Sequence, residues 1–250
     1  MVGGYGIDDH MAQAWMDGSL AEGVACCAKH FPGHGDTHTD SHHALPTVDK
    51  SLAELEALEL RPFRALASSA PAIMTAHIVY PQIDPEHPAT LSQPMLTGVL
   101  RESMAYRGVV ITDALMMKAV HDRYGHARAA VLALQAGADL VLAQGHRAEQ
   151  IAALQGIEAA LQNGALDAAA LTQARARIDA LATRYPLHTS AYTAAQRLQD
   201  EALMRRAWAR GLTGVGQPTA PALTAPIRLI AQDRVDSDGV SEAGLPLESV

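Results

Sequence analysis

Residues 109–120 read VVITDALMMKAV. Val109 to Thr112 are a short, mostly β-branched run, Asp113 stands at its carboxyl end, and a Met-rich helical pattern follows. A strand that hands a carboxylate to a loop and then starts a helix is one βα unit. Working outward, the same arrangement recurs. Further β-type apolar runs stand at Val24–Ala28, Ala72–Ala76 and Ala138–Leu142, each followed by a loop and a helical pattern. Ser51 with Glu54 three residues on is a capping box that opens LAELEALELRPFRALASS. Ser92 and Pro94 open LTGVLRESM, and Gly125 precedes ARAAVLALQAG, which stops at Gly137. Strands alternating with helices predict an α/β fold with a parallel sheet.

Beyond Gly145 the pattern is helical through Ala182, with Asn163-Gly164 as a turn, and a further helix is predicted over Ala191–Arg210. From Gly211 the chain turns rich in Gly, Pro, Thr and Ala, with one candidate strand at Ile227–Ala231. A (β/α)8 barrel needs eight strands in about 250 residues. Only four lie in this chain, all before residue 145. The expectation is therefore half a barrel over residues 1–185, followed by a helical extension, linker and tail over 186–250.

Composition narrows the function. The chain has 250 residues, is 48% hydrophobic and 18% charged, and carries a net charge of −8, which describes a globular chain rather than a disordered one. No basic block occurs, which argues against nucleic-acid and polybasic membrane partners. No apolar stretch reaches the ~18 residues of a membrane span. The two cysteines, Cys26 and Cys27, are adjacent in an apolar run, so they read as core residues in a reducing, cytoplasmic setting rather than as a disulfide framework.

Chemistry concentrates in KHFPGHGDTHTDSHHALP, Lys29 to Pro46, which holds five of the twelve histidines. His30, His34, His38 and His42 recur every four residues, a metal-ligand spacing on a helix, but Pro32, Gly33 and Gly35 break that helix. Asp113 has two readings, a carboxylate facing a pocket or an N-cap of the helix behind it. In MTAHIVYPQIDP, His77 is either a satisfied core histidine or a pocket group.

Together these segments resemble glycoside hydrolase family 3, in particular its bacterial β-N-acetylhexosaminidase branch. The resemblance is carried by Lys29-His30-Phe31-Pro32-Gly33-His34-Gly35, Asp40-Ser41-His42, Met74-Thr75-Ala76-His77 and Ile111-Thr112-Asp113-Ala114-Leu115, in that order. It implies a TIM-barrel glycosidase that removes terminal β-linked N-acetylglucosamine with retention, needs no cofactor and holds no catalytic metal. In that reading Asp113 is the nucleophile, His42 the general acid/base and Asp40 its orienting partner. Lys29, His30 and His77 contact the sugar, while His34, His38 and His43 are loop histidines. A histidine acid/base departs from the two-carboxylate design of most retaining enzymes. Gly33, Gly35 and the Thr37–Thr39 stretch suit a loop that swings over the sugar.

The resemblance covers residues 1 to about 185 and only the second half of the family's barrel. It sets Gly3 of Gly3-Gly4-Tyr5-Gly6 where the family has an arginine, with Asp8-Asp9 following. A fragment, a truncated gene product and a half-barrel completed by a second chain all fit this. The expected partner is an aminosugar oligosaccharide from chitin or cell wall. Phosphorolysis of the same glycoside and a non-catalytic remnant are the alternatives.

Overall fold

The structure, a computed structural model, describes residues 9–39, 41, 44–187 and 191–211. They fall into two units divided between Pro186 and Leu187. The first holds α1 (Asp9–Ala21), β1 (Cys27–Phe31), α2 (Leu52–Ala57), α3 (Arg61–Leu66), β2 (Ala72–Thr75), β3 (Val79–Tyr80), β4 (Asp84–Pro88), β5 (Val109–Ile111), α4 (Lys118–Ala136), α5 (Arg147–Gln162) and α6 (Ala168–Arg184). A 3-10 turn at Ala89–Leu91 and a π-helix at Pro94–Ser103 lie between β4 and β5. In the second unit, α7 (Ala194–Gly211) begins where the Gln196 N–H donates to the Thr193 hydroxyl, and it has no buried residue. The candidate strand Ile227–Ala231 and residues 1–8 lie outside the described residues. No described helix is long and apolar enough to cross a membrane.

β1, β2 and β5 form a parallel sheet in chain order, and Leu140 adds a fourth parallel segment through a bridge to Ile111. Neighbours that follow chain order, joined by helical crossovers and without a switch point, are the topology of a (β/α)8 barrel rather than of a doubly wound sheet. The strands of this sheet therefore present their carboxyl ends on one rim.

Local chemistry sets the helix ends. Ser51 and Glu54 form the expected capping box, each satisfying the other's free N–H. α4 ends at Gly137, whose φ of 115° is left-handed, and a Cβ there would stand 2.9 Å from the Thr97 hydroxyl. α4 itself is kinked at Gly125, with φ 66° and ψ 165°. Behind the sheet, Leu55, Leu60, Phe63 and Leu66 pack inward, and Phe63 meets Phe31 edge-on at 5.3 Å. Each such fully buried side chain contributes about 1.5–3 kcal/mol of burial.

The structure moves several expected boundaries. β1 starts three residues later than the apolar run Val24–Ala28, so Lys29 and His30 lie on the strand rather than in the loop after it. Val24 is exposed, Cys26 half-buried and Cys27 exposed, which corrects the reading of both cysteines as core residues. β1 is an edge of the three-stranded sheet, and its residues Cys27 and Lys29 are exposed. The segment Ala138–Leu142 runs along β5 but ladders only at Leu140, because Asp139 turns its side chain into the sheet.

Asp139 is the polar centre of this unit. Its carboxylate is wholly buried and accepts from Arg101 Nη2 at 2.5 Å, Val110 N at 2.8 Å and Arg177 Nη2 at 2.7 Å. Arg101 also donates to the carbonyls of Tyr106 and Gly108. One carboxylate thereby joins the fourth strand, β5, the π-helix and α6. Removing one partner of a buried ionic group leaves an uncompensated charge, at a cost of about 3–5 kcal/mol. We expect Asp139→Ala to lower unfolding free energy by about that amount, measured by urea denaturation. A loss under about 1 kcal/mol would place the network among surface pairs.

Candidate active site

Asp113 follows β5 directly on the carboxyl rim, and its side chain is 13% exposed. Oδ1 accepts the Ala114 N–H at 2.8 Å, while Oδ2 lies 3.6 Å from His30 Nε2. The helix-cap reading fails on position. α4 begins at Lys118 with Met117 at the cap, leaving Asp113 to hold its own turn rather than a helix end.

His30 reaches Asp113 from β1, the other edge of the three-stranded sheet. Burial drives its imidazole down to about 4, outweighing the attraction of Asp113 and assisted by the nearby Lys29 charge. At neutral pH the ring is uncharged and does not neutralise the carboxylate beside it. Lys29 precedes His30 on β1 and is exposed, with its charge near the His30 ring.

His77 is fully buried beneath this rim. Its Nε2–H donates to the Ala114 carbonyl at 3.0 Å, and Nδ1 stands 2.8 Å from the Thr90 hydroxyl, which is also 2.8 Å from Thr75 Oγ1. The ring thus ties the end of β2 to the residue whose N–H holds Asp113. This places it under Asp113, as a positioning residue for that turn.

The loop after β1 is fastened at several points. The Tyr80 hydroxyl donates to the Gly33 carbonyl at 2.9 Å, and Gly33 has φ 142° with Glu59 Cβ only 2.8 Å from where its own Cβ would be. No other residue fits there without a shift. Lys50 bridges Asp36 at 2.8 Å to the buried Glu59 at 2.5 Å. The Thr37 hydroxyl donates to the His34 carbonyl, so the His34 ring donates from Nδ1 to Thr37 Oγ1 and accepts the Ser41 hydroxyl at Nε2, both at 3.0 Å. Ser41 is buried, and its carbonyl accepts the Ala119 N–H at the start of α4. His34 is therefore structural, and His38 is exposed.

Asp40, His42 and His43 lie outside the described residues, as does Gly3. Asp40 and His42 are the covalent neighbours of the anchored Ser41. Sequence reasoning missed the Tyr80, Lys50 and Glu59 anchors, which come from segments without a local motif. Among the described residues, the loop histidines do not gather three metal ligands.

A histidine whose folded value is depressed carries stability that is complete above its ordinary 6.5 and declines as pH falls toward about 4, because the unfolded chain takes the proton first. His30→Gln is expected to flatten the pH dependence of the urea midpoint between 6.5 and 4. An unchanged slope would mean that His30 is not held neutral.

A family profile described as "Glycosyl hydrolase family 3 N terminal domain" matches residues 6–181. A beta-hexosaminidase of Idiomarina loihiensis is 38% identical over 144 residues, 58% of this chain and 43% of that protein. Beta-hexosaminidase A of Pseudoalteromonas piscicida is 33% identical over 241 residues, 88% of this chain and 37% of that protein. Among solved structures, a glycoside hydrolase family 3 beta-N-acetylglucosaminidase from Paenibacillus sp. str. FPU-7 aligns with a TM-score of 0.68 and 42% identity, covering 72% of this chain and 35% of that one. The chain spans less than half the length of these relatives. With the profile extending from ahead of α1 into the last turn of α6, and with the barrel topology and strand-end carboxylate in place, this chain belongs to glycosyl hydrolase family 3.

Proposed function

We propose that the chain carries the catalytic half-site of a retaining glycosidase that removes terminal β-linked N-acetylglucosamine from aminosugar oligosaccharides. The observation that carries this reading is Asp113, a partly buried carboxylate at a strand end, held by the Ala114 N–H and facing an uncharged His30. The relatives named beta-hexosaminidase and beta-N-acetylglucosaminidase supply the substrate class.

Asp113 attacks the anomeric carbon, the bond to the leaving oxygen breaks, and a covalent glycosyl-enzyme forms through an oxocarbenium-like transition state. Strand-end rigidity and the Ala114 N–H keep Oδ2 aimed while positive charge develops at the sugar. A neutral His30 leaves the carboxylate's charge unspent and offers a ring nitrogen to a sugar hydroxyl. Lys29 is assigned a second hydroxyl. His42 gives its proton to the departing oxygen and later takes one from the attacking water, with Asp40 favouring the imidazolium. The anchoring of Ser41 supports this assignment, since it ties the chain between the two residues to His34 and α4. Two free cysteines suit a reducing cytosol, where turnover of wall-derived aminosugars is the setting we infer.

The test is hydrolysis of aryl β-N-acetylglucosaminides by the folded chain. Asp113→Ala is expected to abolish turnover. His42→Ala is expected to slow substrates with poor leaving groups by about 10²–10⁴-fold and activated phenolates far less. Equal losses on both substrates would remove His42 from the acid role, and turnover surviving in Asp113→Ala would remove the nucleophile.

Replacing Ser41 with Ala frees His34 Nε2 and the loop. We expect a lower kcat with a nearly unchanged stability, read by comparing kcat and urea midpoint in the same preparation. An unaltered kcat would show that the clasp does not position the loop.

A further inference from the structure

A second cluster of ligating groups stands where α4 meets α5. His121 and His126 come from either side of the kink at Gly125, and Glu149 from the first turn of α5. In a straight helix, residues five apart point about 140° away from each other. Here the non-helical Gly125 brings the two rings together, with centroids 5.1 Å apart. One ligand atom from each of the three residues lies within 4.8 Å of the others.

Proton placement shows what the cluster lacks. His126 is 2% exposed at its side chain, and its Nε2–H donates to the Gln144 carbonyl at 3.0 Å, which leaves a lone pair on Nδ1. That nitrogen is buried with no hydrogen-bond partner. The group it faces is Glu149 Oε1 at 3.9 Å, itself an acceptor. His121 repeats the pattern. Its Nδ1 lies 3.4 Å from Asp122 Oδ1 and its Nε2 3.3 Å from Glu149 Oε1, so the tautomer protonated toward Asp122 turns the Nε2 lone pair to Glu149. The other carboxylate oxygen, Oε2, is occupied by the His146 N–H at 2.7 Å. In that tautomer of His121 three electron pairs converge on one point, and His126 Nδ1 is without a hydrogen-bond partner in either.

We propose that His121 Nε2, His126 Nδ1 and Glu149 Oε1 form a zinc site that clips the start of α4 to the start of α5. Two imidazoles and a carboxylate are a donor set that zinc accepts, with water as fourth ligand. Bonds of about 2.0–2.1 Å in a tetrahedron separate ligands by about 3.3 Å. His121 and Glu149 already stand at that separation, while His126 Nδ1, 3.9 Å from Glu149 Oε1 and within 4.8 Å of the His121 ligand atom, must close in. The outer shell is complete as well, since Gln144 O and Asp122 hold the far nitrogens of the two rings and His146 N holds the far carboxylate oxygen. Gly145 makes room, because a Cβ there would stand 2.4 Å from Glu149 Oε2. The water position opens on the side of His121 and Glu149, 40% and 30% exposed. This site is independent of the glycosidase reading and takes no part in hydrolysis.

The test uses the full chain, stripped with chelator and titrated with Zn²⁺ by calorimetry and with Co²⁺ by visible absorption. The proposal expects one zinc equivalent assigned to this cluster, a higher thermal midpoint with zinc, and a Co²⁺ ligand-field band. His121→Ala and Glu149→Gln, both at partly exposed positions, are expected to weaken zinc about tenfold or more and remove the band. Asp122→Asn is expected to weaken zinc about tenfold through the ring it orients. His38→Ala, in the loop after β1, is expected to leave zinc binding unchanged. Zinc binding that persists unaltered in His121→Ala and Glu149→Gln, or is absent from the parent chain at micromolar zinc, overturns the site.

Discussion

Asp139 sits on the fourth strand position with its carboxylate inside the sheet, taking charged hydrogen bonds from Arg101 and Arg177 and one from the Val110 backbone. Burying that carboxylate with the largely covered Arg101 is costly, and an apolar replacement of equal shape often does as well for stability. What such a network supplies here is registry. Val110 N is bound to Asp139, Val110 O accepts from the backbone N–H groups of Asp139 and Leu140, and Thr112 N donates to the Leu140 carbonyl. β5 is thereby held against its neighbour from inside the core, and the residue that emerges from it is Asp113.

Above that foundation the rim is assembled by polar ties rather than by apolar packing alone. His77 spans from the Thr75 and Thr90 hydroxyls to the Ala114 carbonyl, so the turn carrying Asp113 is tied to the end of β2. The loop after β1 is tied through Gly33, Asp36 and Ser41 to three other parts of the chain, and His34 joins Thr37 to Ser41 within it. Burial keeps His30 neutral, so the two groups that face each other across the rim share one negative charge rather than cancelling it. A carboxylate in that state is the electrostatic condition for stabilising an oxocarbenium-like centre.

Much of this was readable from the residues. The four strand runs, the Ser51–Glu54 box, the Gly137 stop and the strand-end place of Asp113 are encoded within a few residues of each other, which is where periodicity and capping rules operate. β1 slipped by three residues because its pairing with β2 outweighs the apolar run at Val24. The hairpin of β3 and β4 went unforeseen, since Asp84–Pro88 contains two prolines and pairs over only a short span. Asp139 has no local signature, its partners lying 38 residues away on either side. Of the two readings the sequence leaves for His77, core histidine or pocket group, the structure shows a fully buried ring tied to Thr90 and Ala114. His121 and His126, five residues apart, match no helical spacing until Gly125 bends the chain.

The central claim is that β5 presents Asp113 as the atom donor of a covalent glycosyl-enzyme. The direct measurement is peptide mapping by mass spectrometry after the chain is acid-quenched during reaction with an activated aryl β-N-acetylglucosaminide. The account predicts one N-acetylglucosaminyl group esterified to Asp113. A peptide without that added mass, or the sugar on a different carboxylate, contradicts it.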